Sequence, residues 1–270
     1  MLLCLDVGNS QIFGGVFSDT ELLLRFRHET HRTSTSDQLG VFLRQVLKEN
    51  GIEASKIKHI GISSVVPSLD YSLGSACIKY FDIDPFWLTA DVFTGLKIDT
   101  HNPRQVGADL ISTAIAGVAA YPKQNMIIVD FGTVTTFVPV SKDKEFLGAV
   151  FQLGVRSSMK ALQSSTDQLP SVQIVKPKNF LGKDTVGAIQ SGLYYGQVGA
   201  AKEIMAGIAG EAFGKSAYIK IGTGGFSQLM EEAKVVDVIL PDLILEGIRI
   251  ATLAPENQRT AEAPKRRRKK

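Results

Sequence analysis

One short pattern occurs twice in this chain, and that repetition constrains the fold more than any other feature. Near the start, Asp6-Val7-Gly8-Asn9-Ser10 follows the apolar run Leu2 to Leu5 and precedes Ile12 to Phe17. In the middle, Asp130-Phe131-Gly132-Thr133-Val134-Thr135-Thr136 follows Met126 to Val129 and precedes Phe137 to Val140. Each copy reads as a hairpin: an acidic side chain closes a buried strand, a glycine permits a tight turn, and small polar residues leave backbone N–H groups in the loop. Such a loop can cradle phosphate, and the carboxylate beside it can hold a cation or orient a metal-bound phosphate.

The elements around the two copies repeat as well. Strands are expected at Leu2 to Asp6, Gln11 to Ser18 and Leu22 to His28, followed by a helix through Leu39 to Leu47 with Ser36 and Asp37 as capping groups. A strand at Ile57 to Val66, a helix at Leu69 to Phe81 and a short strand at Pro85 to Leu88 come next, then a small-residue helix from Ile111 to Tyr121. The order restarts 124 residues after Asp6: strands at Met126, Phe137 to Val140 and Glu145 to Val150, a helix near Ser157 to Gln163, and a long helix from Thr185 to about Phe213. A strand at Ala217 to Ile221, the turn Gly222-Thr223-Gly224-Gly225, a helix from Phe226, a strand near Val235 to Ile239 and a helix from Pro241 to Leu253 close the series. The expected fold class is α/β: a duplicated βββαβαβα unit of ribonuclease H-like or actin-like ATPase type, two-lobed with a central cleft. The expected division is residues 1–120, residues 121–256 and a disordered basic tail at 257–270.

Composition narrows the classes. The formal charge of +3 is misleading, because the last six residues, Lys265 to Lys270, carry six positive charges and leave −3 on the remainder. A mildly acidic body argues against a nucleic-acid surface, and the basic run reads as a solvated tail. No apolar run approaches a bilayer span and the first residues lack the features of a secretory signal, so a cytoplasmic protein with neither membrane nor nucleic-acid partners is expected. Cys4 and Cys77 read as buried thiols, with no disulfide framework or metal spacing. The four histidines read as surface or loop residues, and Trp87 reads as core.

Asp6 to Ser10, Gly107-Ala108-Asp109, Asp130-Phe131-Gly132-Thr133 with Thr135-Thr136, and Gly182-Lys183-Asp184-Thr185 through Ser191-Gly192, in this order and spacing, resemble type III pantothenate kinase. The resemblance runs from residue 2 to about residue 253. That family belongs to the actin, sugar kinase and Hsp70 superfamily. The resemblance implies ATP-dependent phosphorylation of pantothenate, the first step of coenzyme A biosynthesis, by a homodimer using a divalent cation such as Mg2+ and a monovalent cation, K+ or NH4+. By motif position Asp6, Val7, Gly8, Asn9, Ser10, Gln11, Ile12 and Phe13 form the ATP loop, and Thr133 also contacts ATP. Gly107, Ala108, Asp109, Leu110 and Thr185 face pantothenate, Asp109 is the catalytic base, and Asp130 binds the monovalent cation. The turn Gly222 to Gly225 borders the adenosine.

Residue chemistry agrees independently. Phosphoryl transfer needs positioning, charge compensation and a base for the attacking hydroxyl. Asp109, next to small residues and ahead of an apolar helix whose dipole keeps it ionised, suits the last role. Its alternative reading is a helix N-cap. Leu110 stands where the family usually has arginine, and Phe151-Gln152-Leu153 departs from a proline-glycine pattern. These departures open two alternatives: a kinase-derived binding or regulatory protein, or a kinase for a less anionic alcohol.

Overall fold

A computed structural model of the chain describes residues 1–91 and 95–255. The expectation of a disordered tail over 257–270 lies outside the described residues. The described residues divide into two compact units: Met1–Lys97 with His101–Ala116 and residues 243–255, and Ile98–Thr100 with Gly117–Asp242. This differs from a division after residue 120, because the last helix returns to the first unit.

The first unit is built on strands β1 (Leu2–Val7), β2 (Gln11–Ser18), β3 (Glu21–Glu29), β4 (His59–Ser64) and β5 (Phe86–Trp87), in the order β3-β2-β1-β4-β5. β1 pairs antiparallel with β2 and parallel with β4. Its alternation assigns the faces: Leu3, Leu5 and Val7 pack with Leu39, Leu43 and Leu47 of α1 (Ser36–Glu49) and Leu69, Leu73 and Ala76 of α2 (Pro67–Phe81). Leu2 and Cys4 point the other way, onto Ile244, Leu245 and Ile248 of α7 (Leu243–Leu253). Each such buried aliphatic side chain contributes about 2 kcal/mol of transfer free energy, and because the run Leu2 to Leu5 is apolar throughout, both faces of β1 are covered by helices. The cap of α1 is Thr35 rather than Ser36 or Asp37: Thr35 and Gln38 form a reciprocal capping box. Pro67 opens α2 at a position where its missing N–H is not needed.

The second unit repeats this plan. Strands β7 (Asn125–Phe131), β8 (Val134–Val140), β11 (Tyr218–Thr223) and β12 (Val238–Ile239) stand to one another as β1, β2, β4 and β5 do, with β7 antiparallel to β8 and parallel to β11. The third strand, expected as one piece from Glu145 to Val150, is split into β9 (Glu145–Phe146) and β10 (Val150–Leu153), both antiparallel to β8. Gly148 lies between them at φ 137°, a conformation that interrupts the ladder. A short strand that the sequence did not announce, β6 (Lys97–Ile98), closes that edge beyond β9. Ile127, Val129 and Phe131 pack on Tyr194, Val198, Ala201 and Met205 of α5 (Thr185–Ala212), capped by Asp184. Helix α4 (Val155–Ser164) lies against α5, and the last helix of this unit, α6 (Ser227–Glu231), is a five-residue piece.

Helix α3 (Ala108–Ala120) begins three residues earlier than expected. Ser112 donates to the Ile244 carbonyl at 2.7 Å, tying α3 to α7 within the first unit. Among the described residues no helix is long and apolar enough to cross a membrane.

The free cysteines are buried as expected. Burial pushes the Cys77 thiol up to about 12 and raises that of Cys4 as well, which leaves neither a nucleophile at neutral pH. His28 is not a simple surface residue: its ring stacks on Phe42 at 4.1 Å. Trp87 is partly buried against the first unit's core.

Candidate active site

Asp6 is the penultimate residue of β1. Its direct neighbours across the sheet are Phe13 on β2 and Ser63 on β4. The fully buried Ser63 donates its hydroxyl to Asp6 Oδ1 at 3.3 Å, orienting a partly buried carboxylate at the strand end. The turn that follows is closed by the Gly8 N–H donating to the Gln11 carbonyl at 3.1 Å. The tight turn is present as expected, but neither Gly8 nor Gly132 uses left-handed backbone. What favours glycine there is close approach, since a Cβ would sit 3.2 Å from the Gln11 carbonyl at one and 3.3 Å from Asp130 Oδ1 at the other.

The loop is held from one side by the end of β3 and the residues after it. Thr30 donates its N–H to the Ser10 carbonyl at 3.1 Å and its hydroxyl to the Gly8 carbonyl at 2.7 Å. Arg32 donates to Asn9 Oδ1 at 3.0 Å. Asn9, Ser10 and Gln11 are exposed, whereas Val7, Ile12 and Phe13 are buried strand residues. Within the stretch 6–13, then, the side chains open to a ligand are those of residues 9–11, with Asp6 partly so.

Asp130 occupies the matching place in the second unit, between Thr136 on β8 and Thr223 on β11. The glycine turn lies against it: Gly224 adopts φ 87°, and a Cβ there would stand 2.1 Å from Asp130 Oδ1. The Phe226 N–H donates to the Phe131 carbonyl at 3.1 Å, pinning the turn to the end of β7. Thr133 is exposed, and its carbonyl accepts the Gly154 N–H at 3.1 Å and the Ser157 hydroxyl at 2.6 Å.

Asp109 is not ahead of its helix but in the first turn of α3, and Gly107, whose carbonyl accepts the Ile111 N–H at 3.1 Å, stands at the cap position. Its carboxylate folds back over Gly107, where a Cβ would meet Asp109 Oδ1 at 2.3 Å, and accepts the Leu110 N–H at 2.9 Å. Burial raises its pKa above the usual aspartate value, and backbone hydrogen bonds, that of Leu110 first, oppose the rise. The helix terminus therefore does not keep Asp109 more acidic than usual, as the sequence suggested; desolvation outweighs it. A carboxylate with a raised pKa is the stronger proton acceptor.

Leu110 is buried, and what it gives the site is its amide. A guanidinium at this position would have to be accommodated in a packed environment. The alternatives of a regulatory protein or another acceptor rest on Leu110 and on the β10 segment, and nothing in the structure favours them. Thr185 is the exposed first residue of α5, with Asp184 as the cap that accepts the Gly187 N–H at 2.7 Å.

No group of three or more His, Cys, Asp or Glu side chains suited to a metal ion occurs among the described residues. The donors present are single carboxylates beside hydroxyl residues. That set fits a Mg2+ carried largely by nucleotide phosphates and completed by one carboxylate. The residues missed by sequence reasoning are Ser63, Thr30, Arg32 and Ser157. All four reach the loops through strand pairing or distant packing, and no local motif marks them.

Solved structures share this architecture. A protein assigned as a 2-dehydro-3-deoxygalactonokinase from Sinorhizobium meliloti superposes with a TM-score of 0.57 at 13% identity, covering 93% of this chain and 95% of its own. A protein assigned to the Baf family of transcriptional activators from Campylobacter jejuni gives 0.55 at 19%, covering 92% and 96%. The duplicated 3-2-1-4-5 sheets and the paired acidic hairpins define an actin-like ATPase and sugar-kinase fold. A family model described as type III pantothenate kinase matches residues 2–207. Proteins named type III pantothenate kinase from Legionella pneumophila (strain Corby) and Elusimicrobium minutum are 51% and 47% identical, over 94% and 93% of this chain and 98% and 97% of their own lengths. The chain belongs to the type III pantothenate kinase family.

Proposed function

We propose that the protein transfers the γ-phosphoryl group of ATP to the primary hydroxyl of pantothenate, giving 4'-phosphopantothenate and ADP at the entry to coenzyme A biosynthesis. The observation that carries this reading is Asp109: a partly buried carboxylate of raised pKa at a helix start, in a chain with two acidic phosphate-type hairpins. The hydroxyl oxygen attacks the γ-phosphorus, the bond from that phosphorus to the β,γ-bridging oxygen breaks, and the hydroxyl proton passes to Asp109.

The roles divide by unit. Residues 6–13 form the first phosphate loop, with Asn9, Ser10 and Gln11 presenting their side chains and Asp6 taking the nucleotide-bound divalent ion. Thr133 contacts ATP from the second loop, and Asp130 holds K+ or NH4+ beside the Gly224 turn. Gly107, Ala108, Leu110 and Thr185 contact pantothenate, the first three through backbone that small or buried side chains leave approachable. A bound Mg2+ supplies charge compensation on the phosphates.

The enzyme acts as a homodimer in this reading. Helix α3 offers little surface for it, because Ala108, Leu110, Ile111, Ala114 and Ile115 are buried. The exposed apolar side chains of the second unit are better suited: Phe151 and Leu153 on β10, and Phe180, Leu181 and Val186 near the start of α5. Light scattering should give twice the chain mass, and Phe151→Glu with Leu153→Glu should give the monomer; a wild-type monomer at all concentrations refutes the assignment.

ADP release by purified protein with ATP, Mg2+, K+ and pantothenate tests the activity. Turnover dependent on pantothenate is expected. Nucleotide binding without such turnover would overturn the assignment.

A further inference from the structure

The first phosphate loop contains no cation of its own: residues 6–13 include neither lysine nor arginine, and their one charge is the Asp6 carboxylate. A triphosphate docking there needs positive charge beyond a metal ion, because transferring the terminal phosphoryl group shifts negative charge along the phosphate chain. The sheet register shows where it comes from. Asp6 pairs with Phe13, and Phe13 pairs with Arg27 of β3, so Ser63, Asp6, Phe13 and Arg27 form one row across four strands, side chains on the same face. Two strand spacings separate Asp6 from Arg27, about 10 Å between backbones, and the Phe13 ring fills the interval. The Arg27 guanidinium lies over that ring, 4.0 Å from its centroid, and one of its nitrogens reaches Gln11 Oε1 at 3.5 Å.

We propose that Arg27 is the cation of the first phosphate loop and contacts the terminal phosphate of the nucleotide. This rests on the reading of residues 6–13 as the ATP loop. A guanidinium held over a ring face keeps N–H donors at its edge, and such donors match phosphate oxygens in pairs. The contacts that hold it are a phenyl ring and a neutral amide, which orient the charge without neutralising it. Its side chain is exposed at the edge of the sheet, where an incoming anion can reach it. Arg32, bonded to Asn9 Oδ1, steadies the neighbouring loop residue and acts only through it.

The test compares wild type, Arg27→Gln, Arg27→Lys and Asp6→Asn by calorimetry with a nonhydrolysable ATP analogue and with ADP, and by steady-state kinetics. Arg27→Gln is expected to weaken the ATP analogue at least tenfold, to affect ADP less, and to leave KM for pantothenate within twofold. Arg27→Lys, which keeps the stem on Phe13, should recover part of the loss. If Arg27→Gln binds the analogue within twofold of wild type while Asp6→Asn does not, the proposal is overturned and the loop assignment stands. If Asp6→Asn also binds normally, both fall together. A uniform loss for ATP, ADP and pantothenate, accompanied by a lower unfolding temperature and no rescue by lysine, would mean that Arg27 only supports the fold, and this too overturns the proposal.

Discussion

Replacing Asp109 by asparagine preserves the shape of the side chain and the oxygen that accepts the Leu110 N–H at 2.9 Å, while removing the proton acceptor. Loss of a positioned general base lowers a rate by about 10²- to 10⁴-fold, equivalent to about 3 to 5.5 kcal/mol of barrier. Stability should move the other way. Burial raises the Asp109 pKa in the folded protein, so between the unfolded and folded values the native state holds the proton more tightly. This contribution to stability is complete below the unfolded pKa and is lost as pH rises through the folded one, above which the carboxylate is ionised while partly desolvated. Asparagine has no such charge, so Asp109→Asn should unfold at the same temperature as wild type or higher at pH 7, and the difference should vanish in acid. The raised pKa also places the acid limb of kcat/KM above that of an ordinary aspartate, near pH 4. Coupled ADP release across pH and thermal unfolding at pH 7 and pH 3.5 measure all three effects. A variant that keeps turnover within tenfold of wild type, or that is clearly less stable at pH 7, refutes the assignment of Asp109 as a desolvated base.

Asp130→Asn should flatten the dependence of turnover on K+ or NH4+ measured against Na+ while leaving the far-ultraviolet spectrum unchanged; a retained K+ response would remove Asp130 as the cation ligand. Gly224→Ala forces an L side chain to φ 87° and drives a Cβ to within 2.1 Å of Asp130 Oδ1, so it should cost on the order of 1–3 kcal/mol by urea unfolding and also weaken the K+ response. An unchanged midpoint would show that the turn relaxes freely. The buried Tyr194 hydroxyl has no hydrogen-bond partner among the described residues, so Tyr194→Phe should be neutral or stabilise by up to about 1 kcal/mol. A loss larger than that would mean the hydroxyl is satisfied in solution.

The continuous apolar runs in Leu2–Val7 and Asn125–Phe131 are enough to specify strands buried on both faces, and the recurrence of Asp-x-Gly at the end of each announces the duplication. Helices α1, α2 and α5 fall within a few residues of their expected bounds. Boundaries set by caps or breaks are less legible. Thr35 rather than Ser36 caps α1, because the choice depends on which oxygen reaches the Gln38 N–H. The expected strand at Glu145 to Val150 breaks because Gly148 takes a conformation that the pattern of apolar residues does not encode. Asp6, Asp109 and Asp130 were legible as acidic residues at element ends, whereas the loop partners Ser63, Thr30 and Arg32 were not. Ser63 lies 57 residues from Asp6 and meets it only through parallel strand pairing.

By itself, then, the sequence determined the α/β class, the internal repeat and the family, and it placed three aspartates at element ends, since all of these follow from local periodicity and ordered short motifs. Tertiary structure decided the state of those groups. Burial raises the Asp109 pKa against the helix terminus, and Gly224 is fitted against Asp130. Strand register sets Arg27 in line with Asp6. Each depends on which distant residues are brought within a few ångströms, and desolvation and hydrogen bonding act over that distance whatever the separation along the chain.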